Sequence, residues 1–292
     1  MEQKQQYSDK HPVVVGLGEI LWDMLPTGKK VGGAPANFVY HATQLGAEGF
    51  VVSAIGKDDL GDELLRELDD HDIKHLVDRV PYPTGTVEVS LEDGLPTYEI
   101  KTGVAWDHIL PTMQAVDLVE QADAVCFGTL AQRSIQSREA IRAILSFVSK
   151  DAYCCFDINL RQRYYSKELI EESLYLANVL KINDEELDVL RSLLDLNGTE
   201  EEIALWLMEK YTLRMVVVTA GSKYSAIYTP EEISRIQTPS VKVMDSVGAG
   251  DAFTGALIVS LLKGSSLKDA HQYAVKIAAY VCTKSGAWVK YS

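Results

Sequence analysis

The sequence predicts an α/β fold: a three-layer, doubly wound and mostly parallel sheet with helices on both faces and a small β-sheet lid. Three observations carry that prediction. Short apolar runs of strand length alternate with helical stretches along most of the 292 residues, the pattern of βα units on a parallel sheet. The first run, Val13-Val14-Val15-Gly16-Leu17-Gly18-Glu19-Ile20-Leu21, is apolar without alternation, as a strand buried on both faces should be. One segment breaks the pattern: Thr86 to Leu91 alternates, Glu92-Asp93-Gly94 turns, and Pro96 to Ile100 returns, a hairpin inside an otherwise βα chain.

The first run should be one strand, with Asp23 just past its carboxyl end, where open α/β sheets bind ligands. Gly16 and Gly18 lack the third glycine of a dinucleotide fingerprint, since Leu21 stands there. Gly32-Gly33-Ala34-Pro35-Ala36-Asn37 precedes a helix expected from about Ala36. Its glycines allow close approach to a ligand, and the Asn37 amide suits a polyol, though for this stretch taken alone a plain turn with a capping Asn is the better reading. A strand is expected at Phe50–Ile55 and an amphipathic helix at Leu60–Leu68, whose charges form a solvated face. Trp106 and Asp107 follow the hairpin as candidates to face a ligand, although a buried Trp is the commoner outcome. From Met113 onward, helices at 113–121, 136–148, after Ser166, 185–194 and 200–210 alternate with strands at 124–128, 153–158, 179–182 and 215–219. A long helix, 266–284, is followed by a turn at Ser285-Gly286-Ala287. The chain is expected to form one domain over residues 11–292, while the polar stretch 1–10 is expected to be disordered.

At 47% hydrophobic residues the chain has ample material for one large core. The net charge of −14 and the lack of a basic patch argue against a nucleic-acid partner. An anionic ligand must then be held by backbone N–H groups, single basic residues or a metal ion. Cys126, Cys154, Cys155 and Cys282 show no metal-ligand spacing and read as reduced core residues of a cytoplasmic protein. No apolar run reaches the length of about 18 residues that a membrane span needs.

The chemistry centres on Val243 to Leu262. A strand-like segment ends in Gly248-Ala249-Gly250, Asp251 follows, and an apolar helix begins. Two glycines around an alanine let successive N–H groups point into one concavity at the positive end of a helix, a nest that holds an anion without a basic side chain. Asp251 as a plain N-cap is the structural alternative. An anion hole beside a carboxylate suits phosphoryl transfer: the nest stabilises the moving phosphoryl group and the carboxylate takes a proton from the attacking hydroxyl. Polar groups recur at other strand ends: Asp157, Asn159 and Arg161; Asn183 and Glu186; Thr219, Gly221 and Ser222. Arg161 is the best single phosphate contact. Glu186 suits the water shell of Mg²⁺, an ion that keeps several waters and takes few protein ligands.

These motifs resemble the ribokinase-like (phosphofructokinase B type) carbohydrate kinases over about Val13 to Ala287. Asp245-Ser246-Val247-Gly248-Ala249-Gly250-Asp251-Ala252-Phe253 is similar to that family's C-terminal signature. Gly32-Gly33-Ala34-Pro35-Ala36-Asn37, with Leu45-Gly46 and Gly56-Lys57-Asp58, is similar to its N-terminal one. The resemblance implies ATP-dependent phosphorylation of a sugar's primary hydroxyl, with Asp251 as base and Gly248, Ala249 and Gly250 as the anion hole. It implies that Asp23, Gly32, Gly33 and Asn37 hold the sugar, that Asn183, Thr219, Gly221 and Ser222 lie toward the nucleotide, and that Glu186 stands near Mg²⁺. It places Asp245, Val247 and Gly286 where family members often hold a monovalent cation such as K⁺. It also implies a lid built from segments about 22–33 and 84–106, and a homodimer in which two lids pair.

Ala34, where ribose-specific members tend to carry Lys, together with Asp157-Ile158-Asn159-Leu160-Arg161, looks more like the fructokinase branch. Thr219-Ala220-Gly221 departs from the commoner Thr-Leu-Gly, and Val275 stands where some members place a polar residue near the nucleotide. Three readings stay open from the sequence: a fructokinase-like enzyme; the same chemistry on 2-keto-3-deoxygluconate, ribose or a nucleoside; and a non-catalytic sugar-binding regulator on the same scaffold.

Overall fold

In the computed structural model, which describes residues 11–92 and 95–291, a nine-stranded sheet forms the middle layer. Its strands are β1 (Val13–Leu17), β4 (Glu48–Gly56), β5 (Lys74–Val80), β8 (Ala124–Gly128), β9 (Tyr153–Asp157), β10 (Val179–Asn183), β11 (Met215–Thr219), β12 (Tyr224–Tyr228) and β13 (Ile233–Gln237). The spatial order is β13-β12-β11-β10-β9-β8-β1-β4-β5. All neighbours run parallel except β11–β12 and β12–β13, which are antiparallel. The chain winds outward from β1 in both directions, so β1 and β8 flank a switch point where such sheets bind ligands.

Both faces are covered, which is why the strands read as continuous apolar runs. One face packs α3 (Met113–Gln121), α4 (Ile135–Leu145), α5 (Lys167–Leu176), α6 (Asp184–Leu194) and α7 (Glu200–Tyr211) onto Val15, Leu17, Val125, Phe127 and Phe156. The other packs α1 (Ala34–Gln44), α2 (Asp59–Asp70), α8 (Ala249–Leu262) and α9 (Leu267–Cys282) onto Val14, Ala124, Cys126 and Cys155. Helix starts follow local chemistry: Asp58, Thr112, Ser166 and Ser266 each accept a first-turn N–H, and Asn183–Glu186 and Thr199–Glu202 form capping boxes. No helix among the described residues is long and apolar enough to cross a membrane, and the four cysteines are unpaired.

A second, four-stranded sheet stands beside the first, in the order β3 (Gly28–Gly32), β2 (Leu21–Leu25), β6 (Thr86–Glu92), β7 (Leu95–Ile100). The hairpin expected at 86–100 is β6–β7; the middle of its turn, Asp93-Gly94, and the stretch 1–10 lie outside the described residues. The Trp22 indole donates to the Leu60 carbonyl at 3.0 Å, and Lys29 pairs with Glu63, tying this sheet to α2.

Three expectations need correction. The run from Val13 to Leu21 is not one strand: the chain leaves the main sheet after Leu17, and β2 begins at Leu21 in the second sheet. Asp23 therefore lies in mid-β2, paired with Lys30 of β3, rather than just beyond the first strand. The segment before the Gly248 nest is not a strand; it carries no ladder hydrogen bonds, and only Met244 and Asp245 bond back to the Cys282 carbonyl.

Candidate active site

A cavity of about 1290 Å³ opens at the carboxyl ends of the central strands and beneath the second sheet. Asp251 lines it. Gly248 caps α8 with φ +77°, a backbone state that favours glycine, and no side chain caps the first turn. The Ala249 N–H donates to the Ser246 carbonyl at 3.3 Å, which leaves the N–H groups of Gly250 and Asp251 to the cavity at the positive end of the helix. Asp251 does not act as the N-cap. It sits at the third position of α8, and its Oδ2 accepts from Asn37 Nδ2 at 2.8 Å. Burial, and then the negative charge of Asp157, push Asp251 up to about 6, against the opposing pull of Asn37, Lys181 and Arg161.

Beneath the nest lies a charge pair that the sequence reading missed. Lys181 of β10 and Asp157 of β9 sit opposite each other in register, 3.2 Å apart and both buried. A Cβ placed on Gly250 would come within 3.1 Å of Lys181 Nζ, so the ammonium abuts the nest directly. Burial opposes the charge on Lys181, but Asp157, Glu186 and Asp251 outweigh it and hold its pKa above the ordinary value. A lysine kept charged beside first-turn N–H groups adds a cation to the floor of the cavity, although Asp157 already pairs with it.

Glu19 was also missed. It is buried at 2% exposure and lines the cavity; its Oε1 accepts from the Ala34 N–H at 3.3 Å, while Oε2 has no partner among the described residues. Burial raises it to about 7, with Arg161 opposing. Asp23, half-buried, is raised by burial to about 6, again with Arg161 opposing. Arg161 is exposed and lines the same space. Gly33 takes φ +109°, and a Cβ there would lie 2.4 Å from the Glu19 carbonyl, so this protein's own backbone requires glycine.

The remaining expected residues divide clearly. Gly33, Asn37, Asp23, Arg161, Asn183, Glu186, Thr219, Gly221, Ser222, Asp245, Val247, Gly248, Ala249, Gly250, Gly286 and Asp251 all line the one cavity. Gly32 and Trp106 do not. Gly32 packs behind Asp23, whose Oδ2 would be 2.5 Å from a Cβ there. Trp106 is 0% exposed, with the Arg133 guanidinium 3.8 Å above its ring and Arg133 ion-paired to Asp107, so it serves the core and not a ligand. Glu186 is bound as a cap: its oxygens accept from Leu160 N and Asn183 N, both at 2.9 Å. Asp245 joins two loops, accepting from Val247 N at 3.1 Å and Gly286 N at 2.9 Å.

The second sheet closes over this space. Lys30 Nζ donates to Ser285 Oγ at 2.7 Å, and Gln162 Nε2 donates to the Tyr98 carbonyl at 3.1 Å, so both hairpins touch the main domain across the opening. The model of the pfkB family carbohydrate kinases matches residues 20–290. This chain belongs to that family. An uncharacterized sugar kinase of Pyrococcus horikoshii, solved in complex with ATP, superposes with a TM-score of 0.77 at 26% identity, over 94% of each chain. The ATP-dependent 6-phosphofructokinase of Thermoanaerobacterium thermosaccharolyticum is 26% identical over 97% of this chain and 92% of its own. Fructokinase-2 of Solanum habrochaites is 27% identical over 94% and 92%. As a pfkB member the enzyme is a carbohydrate kinase, a phosphotransferase acting on a sugar hydroxyl, and its ribokinase-like architecture is the one expected from the sequence.

Proposed function

We propose that the enzyme transfers the γ-phosphate of ATP to the primary hydroxyl of a ketohexose, fructose, in the cytoplasm. The observation that carries this reading is the half-buried Asp251 carboxylate on the cavity wall, fixed by Asn37 and adjoining the uncapped first turn of α8. The sugar lies under the second sheet, against Asp23, Gly33, Asn37 and Arg161. The base Asp251 takes the hydroxyl proton as the oxygen attacks the terminal phosphorus. The N–H groups of the Gly248–Gly250 turn and Lys181 meet the charge on the phosphoryl group. The nucleotide lies over Asn183, Thr219, Gly221 and Ser222, with its base against the apolar wall of Val243, Val275, Ala278 and Ala279.

Charge favours a neutral acceptor. The sugar half holds the carboxyl groups of Glu19, Asp23 and Asp251 against Arg161 and Lys30. A sugar phosphate or keto acid would bring further negative charge into that field, which argues for fructose over the acceptor of the 6-phosphofructokinase relative.

Among the described residues no three His, Cys, Asp or Glu side chains form a metal cage. Mg²⁺ would arrive with the nucleotide and keep most of its waters, and Glu186 would hold it through one of them. When bound, the ion neutralises phosphate charge. Asp245, whose two oxygens accept from the Val247 and Gly286 N–H groups, joins the two loops whose carbonyl oxygens would have to hold a K⁺ ion, and Ala287 packs against Gly248, so such an ion would act on the nest. Strands β3 and β7 are the edges of the second sheet, and we assign them to a lid-to-lid homodimer. A screen of fructose, 2-keto-3-deoxygluconate, ribose, nucleosides and fructose 6-phosphate with ATP tests the acceptor. Highest kcat/KM on fructose is expected; a preference for a phosphorylated or carboxylate acceptor would overturn the assignment.

A further inference from the structure

The segment Ala287 to Tyr291 runs along one face of α1. Trp288 Nε1 donates to Asn37 Oδ1 at 2.9 Å; Gln44 donates to the Val289 carbonyl and accepts from Tyr291 N, both at 2.9 Å; the Tyr291 hydroxyl meets His41 Nδ1 at 2.6 Å. The Trp288 ring stacks on Tyr40, with centroids 4.6 Å apart. Residues 37, 40, 41 and 44 fall at the i, i+3, i+4, i+7 spacing of one helix stripe. The stripe therefore holds a strap from end to end, and the end nearest the cavity is Asn37.

Asn37 is 5% exposed, and its two amide atoms face two partners, Trp288 and Asp251. An amide can be turned over, and only its hydrogen-bond network decides which way it points. The indole decides it here, because Trp has a donor and no acceptor. Oδ1 must face the indole N–H, so Nδ2 must face Asp251. Turning the amide over would set N–H against N–H at one end and oxygen against carboxylate at the other.

We propose that Trp288 is a positioning residue for the transfer: by donating to Asn37 Oδ1 it locks the amide so that Nδ2 always donates to Asp251 Oδ2. This rests on the reading of Asp251 as the base. Two consequences follow. Oδ2 is permanently occupied as an acceptor, which leaves Oδ1 to take the sugar hydroxyl's proton. The protonated acid also finds no acceptor in Asn37, so the amide favours the ionised carboxylate alone. In Trp288→Phe the ring stack on Tyr40 remains but the lock is lost. The amide is then free to turn and accept from protonated Asp251, which stabilises the acid form. The other charged groups around Asp251 — Asp157 and Lys181 from β9 and β10, Arg161 and Glu19 from the loops after β9 and β1 — are unchanged by that substitution.

The test is the pH profile of kcat/KM for fructose with MgATP in wild type, Trp288→Phe, Asn37→Ala, the double variant, Tyr291→Phe and Asp251→Asn. Trp288→Phe should move the acid limb up by about one unit. Its deficit should be roughly fivefold at pH 6, about twofold at pH 7 and negligible at pH 8.5, since a limb moved from about 6 to about 7 changes the ionised fraction by those amounts. In the Asn37→Ala background the same substitution should move the limb no further. Tyr291→Phe, which loosens the strap at its far end, should lower Tm without moving the limb. A limb within about 0.2 unit of wild type in Trp288→Phe, a shift that persists without Asn37, or an equal shift in Tyr291→Phe would each overturn the proposal. If Asp251→Asn keeps wild-type turnover, the base assignment itself fails; if it is inactive while Trp288→Phe behaves as wild type, only the role of Trp288 fails.

Discussion

Gly248→Ala isolates the nest from the rest of the scaffold. An alanine at φ +77° carries the left-handed penalty of about 1–2 kcal/mol. Its Cβ would also lie 2.7 Å from both Cα and Cβ of Ala287, a contact that only backbone movement can relieve. Reaching ordinary van der Waals separation, about 3.5 Å or more, requires a relative shift of nearly an ångström. That shift falls on the turn whose N–H groups face the cavity, and misplacement of that size costs on the order of 10²-fold in rate. Gly103→Ala is the matched control: φ is +67° and nothing lies within 4 Å of the added methyl, so it carries the strain without the collision. Both variants should lose about 1–2 kcal/mol in urea unfolding, Gly248→Ala somewhat more. Steady-state kinetics at saturating ATP and fructose should find kcat near wild type in Gly103→Ala and about 10²-fold lower in Gly248→Ala. A Gly248→Ala enzyme with kcat within about twofold of wild type would refute the claim that this turn receives the phosphoryl group.

Wild-type kcat/KM should fall as pH drops through about 6, because burial and Asp157 hold Asp251 there and only the ionised form accepts a proton; an acid limb near 4 would contradict this. Lys181→Met leaves Asp157 buried without its partner, and urea unfolding should register a loss of about 3–5 kcal/mol, with a loss under about 1 kcal/mol counting against a structural role for the pair. Light scattering should give about twice the 32.3 kDa chain mass, and a single-chain mass at micromolar concentration would remove the lid-to-lid dimer.

Residues whose role is local were legible in the sequence. Gly248 to Asp251 and Gly33 to Asn37 declare themselves because a nest or a tight helix entry needs those residue types in consecutive positions. Strands 124–128 and 215–219 and helix 113–121 appear as expected, since each is a single apolar period. What stayed hidden depends on pairing between distant segments. Lys181 is a lone cation in an apolar strand, and the signal was that a lysine there needs a buried partner; that Asp157 is the partner follows only from the β9–β10 register. Glu19 is a lone acid in the loop after β1, and its burial follows only from the start of α1 packing against that loop. Asp23 was misplaced because nothing in Leu17-Gly18-Glu19-Ile20-Leu21 marks where the chain leaves one sheet for another. Strands β12 and β13 are antiparallel and partly polar at the sheet's edge, so the βα alternation gave no warning of them. Trp288 reaches Asn37 across 251 positions, a separation no local pattern encodes.

The account depends most on a proton leaving the sugar for Asp251. Asp251→Asn keeps the shape and removes the basicity, so turnover of fructose with MgATP measures that dependence directly. The expected result is a folded protein whose Tm is not lowered, since the substitution removes a carboxylate that burial disfavours, and whose kcat is lower by about 10²–10⁴-fold across the pH range; an Asp251→Asn enzyme within about tenfold of wild type would contradict it.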